Sequence, residues 1–415
     1  MRNLIILNHN AGSPYHGPNF RSYYTAKYLQ KLGWTVTIIS SSFAHKYYSL
    51  PKVTKSISEE YIDGIHYLWV RTKSFSGYKG RLFNYLQFCS KLLLLSPYLN
   101  DAKPDALICS SPPPLLAFPA YCISRYLSIP MVFEVRDLWP LGIVEMKGLS
   151  HNHPVVMIMA LAEKIAYKYA DAIACVLPGA EPYMQSKGLA EGKFNYIPNG
   201  IDLELESSFK KYSISESFCS LIPKEGLIVG FVGSIGESCG LNYLIQAANL
   251  VKDHKIFFII VGEGSYKNKL IEMARELDNV IFLDAVPKNS VQFILRKFDV
   301  CYLEGSYEEM FVKYGVNPNK AYDYMLAAKP ILNTLQAYND IVKEGDCGIS
   351  VDSENPKAIA EAVINFKNMS PYRRKNLGQN GLKHVCENYN YQIIASKYAD
   401  LIVSLIGEKN KKKSL

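Results

Sequence analysis

The stretch YGVNPNKAYDYMLAAKPIL, residues 314–332, carries a lysine and an aspartate three positions apart. A helix opening at Pro318 or Asn319 would put Lys320 and Asp323 on one face near its N-terminal end. That end also offers unpaired N–H groups and the positive pole of the helix dipole. An ammonium there suits a diphosphate, and a carboxylate suits ribose hydroxyls. The plainer alternative is an exposed ion pair, which is worth little.

A second acid–base pair sits in FEVRDLWP, residues 133–140, directly after an apolar run. Asp137 could orient or deprotonate an attacking hydroxyl, or stabilise an oxocarbenium-like transition state, with Arg136 beside it. Alternatively the two form a structural pair above Trp139. Glycines mark further strand ends: Gly233, Gly236 and Gly240 in FVGSIGESCG, Gly262 and Gly264 in IIVGEG, and Gly12 and Gly17 in AGSPYHG. Glycine lets backbone approach a phosphate closely because it has no Cβ. Each of these loops is equally compatible with ordinary turn chemistry.

The elements around these residues alternate. Apolar β-type runs are expected at 3–8, 35–40, 106–110, 131–135, 172–176 and 194–197. A second series is expected at 228–232, 256–261, 280–283, 300–303, 330–333 and 348–351. Helical patterns fall between them, among them 22–32, 154–169, 241–252, 267–277, 291–297, 319–327 and 356–367. Alternation of this kind implies parallel sheets covered by helices, and ligands of such sheets bind beyond the carboxyl ends of the strands. With 415 residues the chain exceeds one ordinary core. The expected division is an N-terminal Rossmann-like domain at 1–203, a polar linker at 204–226 and a second Rossmann-like domain at 227–385. A C-terminal helix at 386–408 is expected to cross back to the first domain.

Composition narrows the function classes. Apolar residues make up 48% and charged ones 20%, an ordinary globular usage. No apolar run reaches the roughly 18 residues of a spanning helix, and MRNLIILNHN reads as a first strand rather than a secretory signal. The nine cysteines include no CxxC pair, which fits reduced thiols better than disulfides or zinc. His151 and His153 are the one close histidine pair and lack companion ligands, so no metal and no cofactor is expected. The net charge of +8 gathers partly between Arg71 and Asn100, where Asp and Glu are absent, and in the lysine-rich tail. That pattern favours an anionic surface; no nucleic-acid-binding motif accompanies it. In YKGRLFNYLQFCSKLLLLSPYL, Leu82, Tyr85, Leu86, Cys89 and Leu93 keep helical spacing with basic flanks. An interfacial helix and a helix packed on the sheet both fit.

The order IPNGID (197–202), FVGSIG (231–236), IIVGEG (259–264) and PNKAYDYM (318–325) resembles the retaining GT-B glycosyltransferases, family 4 / glycosyl transferases group 1. SSPPPLLA (110–117), FEVRDLWP and EKIAYKYADAI (163–173) are similar to the bacterial surface-polysaccharide branch with its WbuB-type N-acetyl-fucosaminyl transferases. The resemblance implies two Rossmann-like domains facing across a cleft and transfer of a sugar from a nucleotide diphosphate, UDP by choice. The implied acceptor is a polyprenyl-diphosphate-linked saccharide, and the implied setting is the cytoplasmic face of the plasma membrane, bound peripherally at its anionic surface. It implies donor contacts at Gly17, Gly233, Ser234, Gly262, Glu263, Gly264, Val286, Pro287, Tyr314, Gly315, Asn319 and Asp323, with Asp137, Arg136 and Lys320 carrying the transfer.

The chain departs from the family pattern in its charges. An arginine and a lysine that usually offset the leaving group fall at Ser234 and Cys239, both neutral. Of two glutamates eight apart, the first falls at Gly315 and the second becomes Asp323. Lys320 is the first choice of substitute cation, ahead of Lys313, Arg136 and Arg21. Two other readings stand beside transfer: a GT-B epimerase acting on free nucleotide sugar, and a catalytically weak nucleotide-sugar-binding partner protein. No GxGxxG opens a βαβ unit, which disfavours dehydrogenase chemistry.

Overall fold

The computed structural model describes residues 2–17, 19–44, 47–204, 218 and 220–413. It divides into two compact units, Met1–Asn199 with Tyr391–Leu415, and Gly200–Asn390. The division thus falls at 199/200 and 390/391 rather than at 203 and 386. Most of the stretch assigned to a linker, 205–217 and 219, lies outside the described residues. The C-terminal segment does return to the first unit, as the helix Tyr391–Lys413. Residues 386–388 instead finish the helix Pro371–Asn388 of the second unit.

The first unit is built on an eight-stranded sheet, β1 (Arg2–Leu7), β2 (Trp34–Ser41), β3 (Ile57–Ile62), β4 (Ile65–Val70), β5 (Ala106–Ser110), β6 (Met131–Val135), β7 (Ala172–Cys175) and β8 (Phe194–Tyr196). Its order is β3-β4-β2-β1-β5-β6-β7-β8. Every pairing is parallel except β3–β4, a hairpin closed at Asp63-Gly64. Both turn residues have positive φ, 48° and 78°, the requirement of a tight two-residue hairpin turn. The sequence reading omits this hairpin.

The second unit has six strands, β9 (Leu227–Val232), β10 (Ile256–Val261), β11 (Val280–Leu283), β12 (Val300–Leu303), β13 (Ile331–Asn333) and β14 (Gly348–Ser350), in the order β11-β10-β9-β12-β13-β14, all parallel. Both faces carry a core. Along β9, Ile228 and Val232 join one cluster while Leu227, Val229 and Phe231 join the other, the two-residue period of a doubly covered strand. Gly230 leaves the space that the Phe298 ring fills. In each sheet a central strand is flanked by strands reached in opposite directions, β1 between β2 and β5, β9 between β10 and β12. Ligands of doubly wound sheets bind at such a reversal, beyond the carboxyl ends of the two strands.

Candidate active site

Of the predicted residues, the reversal point of the second unit brings together Gly233, Gly262 and Lys320. Gly233 follows β9, Glu304 follows β12 and Gly262 follows β10. A Cβ added to Gly233 would stand 2.8 Å from the Lys320 ammonium, and one added to Gly262 or Gly264 would strike the carbonyl of Gly233 or Ile235. Gly262 and Gly264 are therefore fixed by close backbone packing, Gly233 faces the movable end of the Lys320 side chain, and Gly233, Gly262 and Lys320 meet at one place. Lys320 belongs to the helix Asn319–Leu326 and stands 4.4 Å over the Phe231 ring centre.

The lysine is not a bare cation. It donates to Glu304, whose Oε1 lies in direct contact. Glu304 is almost wholly buried, and its Oε2 has no hydrogen-bond partner among the described residues. Burial pushes its carboxyl above the usual carboxylate range, and Lys320 pulls it part of the way back. Cys239, one of the neutral replacements, turns its thiol to the Ser234 carbonyl at 3.3 Å, while the Ser234 side chain is exposed. The cation thus enters this strand end from the helix on the far side of β12, rather than from the loop after β9.

Asp323 does not pair with Lys320. It meets Lys288 at 2.5 Å, and its backbone carbonyl accepts from Gln292 at 2.8 Å. Lys288 directly follows Val286 and Pro287, so the expected ribose carboxylate is tied to the expected base-reading loop. The exposed ion pair weighed between Lys320 and Asp323 is replaced by two separate pairs. Glu263 is exposed and pairs with Lys267 at 2.6 Å, which also reaches Asp284 at 3.2 Å. Tyr314 is buried at the end of the helix Glu309–Tyr314, Gly315 caps it at φ 90°, and Asn319 is exposed at the first turn of the next helix. A side chain at 315 would be strained, which accounts for glycine where a family glutamate is expected.

In the first unit the strand ends of β5 and β6 meet the loop after β1. The Arg136 backbone N–H donates to Ser111 Oγ at 3.2 Å, and its guanidinium donates to Asn19 Oδ1 at 2.6 Å. Asp137 is exposed beside it. Gly17 closes a tight loop through its N–H to the Ser13 carbonyl at 3.1 Å and packs its own carbonyl against Gly12. Arg21 corrects an expectation. It is 3% exposed and its five N–H donors are all used: on Glu134 at 2.9 Å, the carbonyls of Ile197 and Pro198 at 2.9 and 2.6 Å, Asn199 at 2.9 Å and the Tyr398 hydroxyl at 3.0 Å. It holds structure together and leaves nothing for a leaving group. Glu134 in turn accepts from Ser110 at 2.5 Å and from Tyr398. Burial alone would raise its pKa, but Arg21, Arg136 and these hydroxyls hold it at about 2.

Among the described residues no cluster of three or more His, Cys, Asp or Glu could hold a metal ion. Sequence reasoning misses Glu304, Lys288, Asn19 and Ser111. Position alone could have found Glu304 and Ser111, since each directly follows a strand.

Two Rossmann-like units in succession, each with its chemistry-bearing residues at the strand reversal, define the GT-B class. The chain is a glycosyltransferase of the family 4 / group 1 class: residues 16–205 match the model described as Glycosyltransferase Family 4, and residues 226–368 match Glycosyl transferases group 1. It is similar to the capsular polysaccharide biosynthesis glycosyltransferase CapM of Staphylococcus aureus, at 23% identity over 348 residues, 80% of this chain and 84% of CapM. It is also similar to the O-antigen biosynthesis glycosyltransferase WclY of Escherichia coli, at 25% over 223 residues, 53% of this chain and 58% of WclY. Its fold matches Anabaena Alr3699/HepE, solved in complex with UDP-glucose, at TM-score 0.66 and 14% identity over 97% of this chain and 100% of that one.

Proposed function

We propose that the chain is a retaining, metal-independent transferase that moves a sugar from UDP to a polyprenyl-diphosphate-linked saccharide during surface-polysaccharide synthesis. One observation carries this reading: Gly233, Gly262 and the Lys320 ammonium converge at the strand reversal of the second unit. The Gly233 and Gly262 N–H groups donate to the Val261 and Leu283 carbonyls, so what the close packing provides is room beside a strand end, and the Lys320 ammonium provides the charge that a pyrophosphate would meet there. The UDP complex of HepE supports the choice of nucleotide, and the named roles of CapM and WclY support the product class.

In this reading Lys320 and the start of the Asn319–Leu326 helix stabilise the departing diphosphate. Asp323 holds the ribose, exchanging Lys288 for two hydroxyls. Arg136 and Asp137 orient the acceptor hydroxyl, which attacks from the leaving-group face. With no covalent nucleophile assigned, catalysis rests on positioning and on leaving-group electrostatics.

The acceptor's lipid places the work at a membrane. No helix among the described residues is long and apolar enough to span one. The helix Gly77–Asp101 combines both readings of its sequence. Tyr85, Phe88, Leu92, Leu95 and Leu99 are buried, while Phe83, Leu86 and Leu94 are 57%, 51% and 81% exposed. Apolar side chains with Lys79, Arg81 and Lys91 on one helix fit a peripheral contact with anionic lipid on the cytoplasmic face.

The test is incubation with UDP-sugars, with and without a polyprenyl-diphosphate saccharide. Transfer with retained anomeric configuration, read by NMR and unchanged in excess chelator, is the expected result. Inversion, or activity restored only by magnesium or manganese, overturns the mechanism. Interconversion of free UDP-sugars without acceptor would favour the epimerase reading, and binding without turnover the partner-protein reading.

A further inference from the structure

Glu304 has no place in the reading above, yet it is the most heavily buried charged group at the donor site. It follows β12, on one side of the strand reversal, and Gly233 follows β9 on the other. One oxygen takes the Lys320 ammonium and the other is buried without a hydrogen bond among the described residues. A buried carboxylate with one orphan oxygen is costly. It is retained beside the lysine at Gly233, with the Cys239 thiol as a second, weaker neighbour that also favours the ionised carboxylate.

We propose that Glu304 is a positioning residue that fixes the Lys320 ammonium against the Gly233 backbone and, as a counter-charge when ionised, limits its grip on the nucleotide diphosphate. The inference rests on the reading that Lys320 meets the diphosphate. An unpaired lysine on a flexible stem would lose orientation and would hold substrate and product nucleotide alike. Uniform tightening of that kind lowers KM without raising kcat and slows product release. With Glu304 ionised, the pair is neutral overall and the lysine's hydrogen-bonding geometry is set before the donor arrives. Burial raises the carboxyl's pKa, and the lysine's charge keeps the ionised form accessible.

The experiment measures UDP affinity by calorimetry, and donor KM and kcat by turnover, at one fixed pH near 8 for wild type, Lys320→Ala, Glu304→Gln and the double variant. The Lys320→Ala variant is expected to weaken UDP about tenfold. Glu304→Gln keeps an acceptor for the lysine but removes the opposing charge, so UDP binding tightens about tenfold, donor KM falls, and kcat falls with slower release. In the double variant the tightening disappears. Wild-type UDP affinity in Lys320→Ala would sink the diphosphate reading itself. Weakened binding there, with unchanged or weaker binding in Glu304→Gln, would sink the Glu304 proposal alone, as would equal tightening without Lys320. Glu304→Met loses the same charge at similar length and carries the comparison should the glutamine variant not fold.

Discussion

At the scale of single residues, the buried ions of the first unit behave differently from those at the donor site. Arg21 and Glu134 are each within a few per cent of full burial, and each has its hydrogen-bonding capacity taken up. Removing one partner strands the other. Arg21→Ala is expected to cost about 3–5 kcal/mol in denaturant unfolding, and Arg21→Lys to recover less than half, because an ammonium cannot reproduce the planar fork. A loss under 1 kcal/mol would mean that the network is solvated. Glu163 illustrates the opposite sign. Burial raises its carboxyl to about 7, against two tyrosine hydroxyls, Tyr167 at 3.0 Å and Tyr183 at 3.1–3.2 Å, that favour the charged form. Its folded pKa lies above the unfolded value of 4.5, so the folded state holds the extra proton between them. Stability therefore falls as pH rises from 4.5 to about 7, by roughly 3 kcal/mol, and is flat above. Glu163→Gln should remove that slope, melting higher than wild type at pH 8 and close to it at pH 5. Equal differences at both pH values would count against this assignment.

At the scale of elements, most strands of the parallel sheets were legible, β4 excepted, because a strand covered on both faces is a continuous apolar run, as in IFFIIV of β10. The β3–β4 hairpin escaped because its first strand, ISEEYI, is half polar at a sheet edge, although Asp63-Gly64 signals the turn. Of the candidate site, the glycine loops and Lys320 could be read because they follow strands or open a helix. Glu304 could not be tied to its role, since its partner lies sixteen residues on in another element. Arg21 was misread for a related reason: on the amphipathic helix Arg21–Lys31 it looks like a surface cation, and the groups that bury it come from 113 to 377 residues away. The helix Gly77–Asp101 carries its own prediction. Leu94→Glu and Phe83→Glu alter exposed positions, so stability should stay within about 0.5 kcal/mol of wild type. Affinity for phosphatidylglycerol vesicles should drop about tenfold each, the value of losing one buried apolar side chain. Unchanged co-sedimentation of both variants would remove this helix from the membrane contact.

At the scale of the whole molecule, each unit has its own sheet and its own core, so ligand binding in one need not stabilise both. The donor residues assigned to the diphosphate and ribose, Gly233, Gly262, Lys320 and Asp323, all belong to the unit Gly200–Asn390. A ligand that binds only the native form stabilises it by about 2.7 kcal/mol at a hundred times its Kd. For a unit of this size that amount corresponds to a shift of roughly 5–10 °C in melting temperature. Calorimetry with saturating UDP should therefore move one unfolding transition by that much and a second by much less. Lys320→Ala should lose the shift at the same UDP concentration, while Leu94→Glu, altered in the other unit, should keep it. A single transition that moves as a whole would show that the units unfold together, and the mutant pair would then still separate donor contact from membrane contact. No shift with UDP in the wild type, at concentrations that support turnover, would place the nucleotide elsewhere than at the reversal of the second sheet.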